Sequence, residues 1–265
     1  MSNVAIIGYG FCGKATHKIL KQVETINRIQ IHDPQWQMYK KPITDWRGID
    51  YAFICVPTPI TDGELKFNYG HILDATVEIP EGVQIVIRST VGPEALSHTW
   101  IHWPEFLRES HWEQDAEDMS IPIILGGHMS AVKSNMTSKS LKEMSGWFPH
   151  RESVILTGAK EAAIYKLSRN AMLAAKVVMC NYIHSVCKEQ NCSYSEVASM
   201  LLNFGNLGNT HMSVPGPDGE HGFGGSCFPK DISHLAGLQL DSSHYAVDNI
   251  FDAVLECNER YRKTV

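Results

Sequence analysis

The first half of the chain alternates short apolar runs with longer stretches of mixed polarity. "VAIIGYGFCGKATHKIL" opens with an apolar run, turns through glycines, and continues with apolar positions at helical spacing. It predicts a strand, a glycine turn and an amphipathic helix from about Cys12 to Lys21. "RIQIHDP" predicts a second strand that ends at Asp33. "IDYAFICVPTP" reads as a buried strand ended at Val56, Pro57, Thr58 and Pro59, where two prolines allow neither helix nor ladder to continue. "VQIVIRSTVGP" predicts another, ending in Arg88, Ser89 and Thr90. "IPIILGG" and "SVILTG" add further strands, each after a plausible helix. Alternation of this kind predicts a parallel sheet wound on both sides.

From Lys160 the pattern changes. "KEAAIYKLSRNAMLAAKVVMCNYIHSVCKEQ" holds neither glycine nor proline and predicts one helix of roughly 45 Å at about 1.5 Å per residue. Its middle is apolar nearly all round, so more than one surface must cover it. "SYSEVASMLLNF" predicts a further helix. A long glycine-rich loop, 204–226, follows, and helices are expected from about Ile232 and from about Tyr245. The fold class is therefore α/β, with a wound parallel-sheet domain over 1–158 and an all-helical domain with one long helix over 159–265.

Composition narrows the function. A formal charge of −6 argues against a nucleic-acid partner, because phosphate contacts need a basic face. No apolar run reaches the ~18 residues of a membrane span, and "MSNVAIIGYG" lacks the regions of a secretory signal. Seven cysteines, odd in number and without a C-x-x-C pair, predict a reduced, cytoplasmic compartment and no metal centre.

The opening turn is the most specific local signal. Gly8, Gly10 and Gly13 form G-x-G-x-x-G directly after a strand and at the start of a helix. Gly8 permits the tight turn, Gly10 lets a pyrophosphate approach the backbone, and Gly13 lets helix pack on sheet. Asp33, 20 residues past Gly13, is placed to accept from both ribose hydroxyls and to repel a 2′-phosphate, which favours NAD over NADP. A strand-end aspartate capping a turn is the structural alternative. Three pairs stand four apart: Glu105 and Glu109, Lys166 and Asn170, Cys227 and Asp231. Each would present two polar groups from one helical turn. Cys227, in "GFGGSCFPKD", is read either as a nucleophile or as a small packed residue.

Together the Gly8–Gly13 turn, "VPTP", "RSTVGP", "PEFLRE", "KLSRNAMLAAKV" and "GFGGSCFPKD" resemble the UDP-glucose/GDP-mannose dehydrogenase family, in order and along almost the whole chain. The resemblance implies that residues 1–158 form a Rossmann NAD-binding (dinucleotide-binding) domain and that the helical domain dimerises. It also implies oxidation of a nucleotide sugar's C6 alcohol to the acid with two NAD and one water, UDP-glucose being the leading substrate. Cys227 becomes the nucleophile. Lys166 and Asn170 hold the reacting oxygen, and Asp231 and Thr90 belong to the water and proton-transfer network. Glu105 is the hydrolytic base with Glu109 in support. Cofactor contacts extend to Phe11, Cys12, Val56, Pro57, Thr58, Ser89 and Thr90. Substrate contacts fall to Phe106, Leu107, Lys166, Asn170, His211, Phe223 and Gly224. Lys230 receives no role.

Departures from the family pattern are specific. Ser110 stands where glycine follows the second glutamate, His211 where arginine begins the substrate loop, and "EDMSIP" where "PDR" is usual. The family normally continues into a second Rossmann-like domain, which this sequence, ending in "NERYRKTV", does not contain. Another chain, or a lid formed by the turn at Pro215, Gly216, Asp218 and Gly219, is expected to replace it. A homodimer is expected through the long helix, with partner residues near position 211 reaching the site. The alternatives are a two-electron β-hydroxyacid-type dehydrogenase, which has no use for Cys227, and a non-catalytic regulatory subunit.

Overall fold

The computed structural model describes residues 1–60, 66–128, 136–204, 208, 210–237 and 250–263. Its sheet is built from β1 (Ser2–Ile7), β2 (Ile26–His32), β3 (Tyr51–Ile54), β4 (Gln84–Ile87), β5 (Ile101–His102), β6 (Ile123–Gly126) and β7 (Val154–Thr157). The order is β2-β1-β3-β4-β5-β6-β7. The chain passes from β2 back across β1 to β3, so the winding reverses beside β1. That reversal opens a crevice past the carboxyl ends of β1 and β3, where ligands of such sheets bind.

Successive side chains of the central strands point to opposite faces, and both faces are covered. Val4, Ile6, Phe53 and Val86 pack with Leu20 of α1 (Phe11–Leu20), with Ala116 of α3 (Trp112–Glu117) and with Met144 of α4 (Met136–Ser145). Ile7, Ile54 and Ile87 pack on the other face with Ile72 of α2 (Gly70–Thr76). The all-apolar runs of β1 and β3 follow from this double burial.

One pairing departs from the expected parallel sheet. β5 and β6 are antiparallel, joined through His102 and Gly126. β5 has two residues and Pro104 follows closely, so it forms too little ladder to impose a direction. It also carried no apolar run that would have revealed it.

By internal contacts the chain divides into Met1–Pro59 with Phe67–Lys166, and Ile60–Lys66 with Leu167–Val265. The division falls within α5 (Ala159–Glu189), the long helix expected from the sequence. The second unit also holds α6 (Tyr194–Phe204), α7 (Phe228–Gly237) and α8 (Ile250–Lys263). Its core packs Ala171, Ala174, Val177 and Val178 of α5 against Phe223, Ile232 and the apolar side of α8. α7 begins directly after Cys227, four residues before the expected start near Ile232. Pro229 explains the difference. In a first turn its missing N–H removes no helical bond, so "FPKD" is helix rather than loop. The helix expected from Tyr245 has its described part at α8, and residues 245–249 lie outside the described residues.

Candidate active site

The dinucleotide turn has the form its glycines require. Gly8 has φ +92°, and a Cβ there would run into the Cys55 carbonyl. A Cβ at Gly13 would run into the Gly8 carbonyl, whereas nothing lies within 4 Å of one at Gly10. Two glycines thus close the turn, and the third leaves open space over the start of α1, beside its unpaired N–H groups. Asp33 is buried at the end of β2, its Oδ2 accepting the Tyr9 N–H at 2.5 Å and its Oδ1 the Gln35 N–H at 2.8 Å. Tyr9 packs edge-on to Trp36 and Tyr39, with the Lys14 ammonium 4.3 Å from the Trp36 ring. Sequence reading missed this aromatic group, because nothing in the spacing of Tyr9, Trp36 and Tyr39 marks them as neighbours.

The strand-end hydroxyls tie adjacent loops together. Thr58 Oγ1 donates to the Thr90 carbonyl at 2.7 Å, and Ser89 Oγ donates to the Val56 carbonyl at 2.7 Å. Thr58, Ser89 and Thr90 are buried, Val56 is half-buried and Pro57 is exposed. Phe11 and Cys12 open α1, half-buried. The Cys12 thiol is held below its ordinary pKa, first by a hydrogen bond from Cys55, then by the Arg88 and Lys166 charges. Burial pushes the Cys55 thiol up.

Past β5 lies a buried ion pair. Lys166 Nζ donates to Glu105 Oε1 at 3.0 Å, both side chains being almost wholly buried. Glu105 Oε2 accepts the Leu107 N–H at 2.8 Å, and the Phe106 ring lies 5.6 Å from the ammonium. The segment is held by Arg88, which sequence reading left as a strand end. Its guanidinium stacks 3.9 Å from the Trp103 ring, and it donates to the Trp103 carbonyl at 2.7 Å and to Thr16 Oγ1 at 3.0 Å. Neighbouring His102 is wholly buried, and burial pushes its pKa down to about 3. Glu105 and Glu109 do not share a helical turn, contrary to expectation. Residues 103–108 are irregular, and Glu109 stands exposed at the start of a short turn, Glu109–His111. Glu105's own bond to the Leu107 N–H shapes that stretch.

In the second unit, Asn170 Nδ2 donates to Asp231 Oδ2 at 2.6 Å, with both residues buried. Lys230 Nζ lies 2.5 Å from Asp231 Oδ1. Asp231 is in the first turn of α7, and its N–H donates at 3.0 Å to the carbonyl of Cys227, just before the helix. Cys227 is half-buried, with Ser226 Oγ 3.7 Å from Sγ. One side chain of α5 thus reaches the turn that begins at the cysteine, and Lys166 stands one turn earlier on the same helix. Phe223 is buried, edge-on to Phe228, and Gly224 is half-buried. His211 has φ +63° and its ring lies 5.4 Å from Phe228; burial, then Arg169 and Lys176, lower its pKa. The turn expected at 215–219 is present, closed by Gly216 N–H to the Glu220 carbonyl at 2.8 Å.

Among the described residues, no group of three His, Cys, Asp or Glu side chains is placed to hold a metal, and no helix is long and apolar enough to cross a membrane.

Comparison with known proteins gives a consistent result. Residues 160–260 match the model of the UDP-glucose/GDP-mannose dehydrogenase family, central domain. The UDP-glucose 6-dehydrogenase TuaD of Bacillus subtilis is 27% identical over 234 residues, covering 82% of this chain and 48% of its own length. The chain spans about half the length of the curated relatives it matches. In fold it is similar to a UDP-glucose dehydrogenase from Pyrobaculum islandicum, at a TM-score of 0.74 and 18% identity over 98% of this chain and 68% of that one. It is also similar to the UDP-D-ManNAc dehydrogenase of Pyrococcus horikoshii, at a TM-score of 0.70 and 16% identity over 98% of this chain and 68% of that one. The resemblance to the UDP-glucose/GDP-mannose dehydrogenase family is therefore borne out, by its central domain over residues 160–260 and by a shared fold along the chain.

Proposed function

We propose that this chain carries the catalytic part of an NAD-dependent nucleotide-sugar dehydrogenase that oxidises a C6 alcohol to the acid, with UDP-glucose the leading substrate. The observation that carries the reading is the buried Asn170–Asp231 bond at the turn that starts with Cys227. A small packed cysteine has no need of a buried amide and carboxylate beside it.

The reaction balances as follows. The alcohol loses a hydride and a proton to give the aldehyde. The Cys227 thiolate adds to that carbon, the oxygen takes up a proton, and a thiohemiacetal forms. Loss of a second hydride and a proton leaves a thioester. Water then adds, the thiolate departs, and the acid is released. NAD bound at the Gly8–Gly13 turn and Asp33 would accept the hydrides, one molecule for each. Lys166 and Asn170 donate to the reacting oxygen as charge develops on it. Glu105 now accepts from Lys166 and the Leu107 N–H. When Lys166 turns to the substrate oxygen, one Glu105 oxygen is released to take a proton from water. Thr90 and Asp231 complete the proton network, whereas Glu109, exposed and off the Glu105 turn, is given no step. Phe106, Leu107, His211, Phe223 and Gly224 belong to the sugar-nucleotide side. The thiolate chemistry suits a reduced, cytoplasmic setting.

A homodimer through α5 is part of this reading. Met172, Met179 and Val186 recur every seven residues with Tyr182 between them, all exposed on one side of the helix. Apolar residues at heptad spacing are self-complementary, so a second copy of this helix covers them. The reading is tested by incubating the protein with UDP-glucose and NAD and assaying UDP-glucuronate by mass spectrometry. Absence of the acid, with the aldehyde as end product, points instead to two-electron chemistry.

A further inference from the structure

A glycine-rich loop does not by itself hold a nucleophile in place. Gly222 and Gly225 have φ of +75° and +80°, and ordering such loop residues costs backbone entropy. Fixed contacts must therefore set the path of the backbone into Cys227. They come from α8. Asn258 Oδ1 accepts the Phe223 N–H at 2.7 Å, and its Nδ2 donates to the Phe223 carbonyl at 3.0 Å. One amide thus satisfies both backbone groups of one residue, as a neighbouring strand would. Arg262, one turn later, donates Nε to the same carbonyl at 3.1 Å and Nη2 to Asp218 at 2.7 Å. On the other side Asn181 Oδ1 accepts the Gly222 N–H at 3.1 Å, while its Nδ2 is tied to the Val177 carbonyl at 2.9 Å.

Space makes the arrangement specific. A Cβ at Gly222 would run into Asn258, and one at Gly224 into Arg262. Gly222 is thus required by the doubly bonded Asn258 amide as well as by the turn, while the Arg262 guanidinium lies close over Gly224. Phe223 is buried in the core with Val178 and Ile232. Beyond it only residues 224–226 precede Cys227, whose carbonyl accepts the Asp231 N–H of α7.

We infer that Asn258 is a positioning residue for Cys227, supported by Arg262; the inference rests on the reading of Cys227 as the nucleophile. An amide is needed. An aspartate of the same shape would still accept from the Phe223 N–H but would set a second acceptor against the Phe223 carbonyl.

The test is Asn258→Asp in the whole chain, with Asn258→Ser measured in its place if the first does not fold. Thiol reactivity is read with iodoacetamide, peptide by peptide, by mass spectrometry. Cys227 alkylation should change threefold or more, while exposed Cys192 keeps its wild-type rate. Turnover of UDP-glucose should fall tenfold or more with the KM for NAD unchanged. A Cys227 rate within threefold of wild type overturns the inference. So does an equal change at Cys192, which marks general loosening. The alkylation arm uses no substrate, so it decides the role of Asn258 even where Cys227→Ala still makes acid and the nucleophile reading has failed.

Discussion

Lys166 and Glu105, 61 residues apart in sequence, meet at 3.0 Å with both side chains almost wholly buried. Desolvating the two charges is costly, and their mutual attraction and the Leu107 N–H help to offset it. Removing one partner strands the other, which costs about 3–5 kcal/mol. Lys166→Met should therefore destabilise the protein by about that amount in urea melts, and combining it with Glu105→Gln should cost clearly less than the sum of the two. Additive losses would show that the pair is not coupled.

A second prediction separates covalent from non-covalent chemistry. Cys227→Ala should abolish acid formation but leave alcohol–aldehyde interconversion. Glu105→Gln should let a thioester build up on Cys227, visible as an adduct in the intact mass after substrate and NAD are added. Wild-type acid production by Cys227→Ala rules out the covalent route.

In the proposed reading, cofactor choice rests on Asp33. Its carboxylate is fixed by the Tyr9 and Gln35 N–H groups, so it has little freedom to turn away from a 2′-phosphate. The KM for NADP should exceed that for NAD about a hundredfold, which corresponds to about 2.8 kcal/mol at about 1.4 kcal/mol per tenfold. Comparable turnover with both cofactors would contradict the role of Asp33.

His102 gives the fold a pH dependence. Its folded pKa of about 3 lies below the ordinary value of 6.5, so as pH falls through 6.5 the unfolded chain takes up the proton first. Stability is thus complete above about pH 6.5 and is lost progressively toward pH 3, by about 2 kcal/mol at pH 5. Urea melts at pH 7.5 and pH 5 should show that loss, and His102→Gln should reduce it. The same slope in both proteins would remove His102 from the account.

What could be read in the sequence was what lies close together along it. Gly8, Gly13 and Asp33 belong to consecutive elements, so their spacing alone placed the glycine turn and the carboxylate beside it, and the long helix announced itself by the lack of glycine and proline. The Lys166–Glu105 and Asn170–Asp231 pairs bring together residues 61 apart in each case, and no periodicity links them. There only the family resemblance supplied the residues. Pro229 misled because proline reads as a break, although a first helical turn tolerates it. Arg88 and Asn258 act on backbone groups, and such partners leave no trace in residue spacing.

The proposed homodimer rests on the apolar stripe of α5. Wild-type protein should sediment as a dimer at micromolar concentration, and Met172→Glu with Met179→Glu should yield monomers, since two carboxylates on that face are costly to bury. A wild-type monomer would refute the homodimer.

The central claim is that one site removes four electrons from one carbon through Cys227. It is tested most directly by counting NADH formed per UDP-glucose consumed, by absorbance against mass-spectrometric loss of substrate. The account predicts two. A ratio of one, with an aldehyde or ketone as the end product, would contradict it.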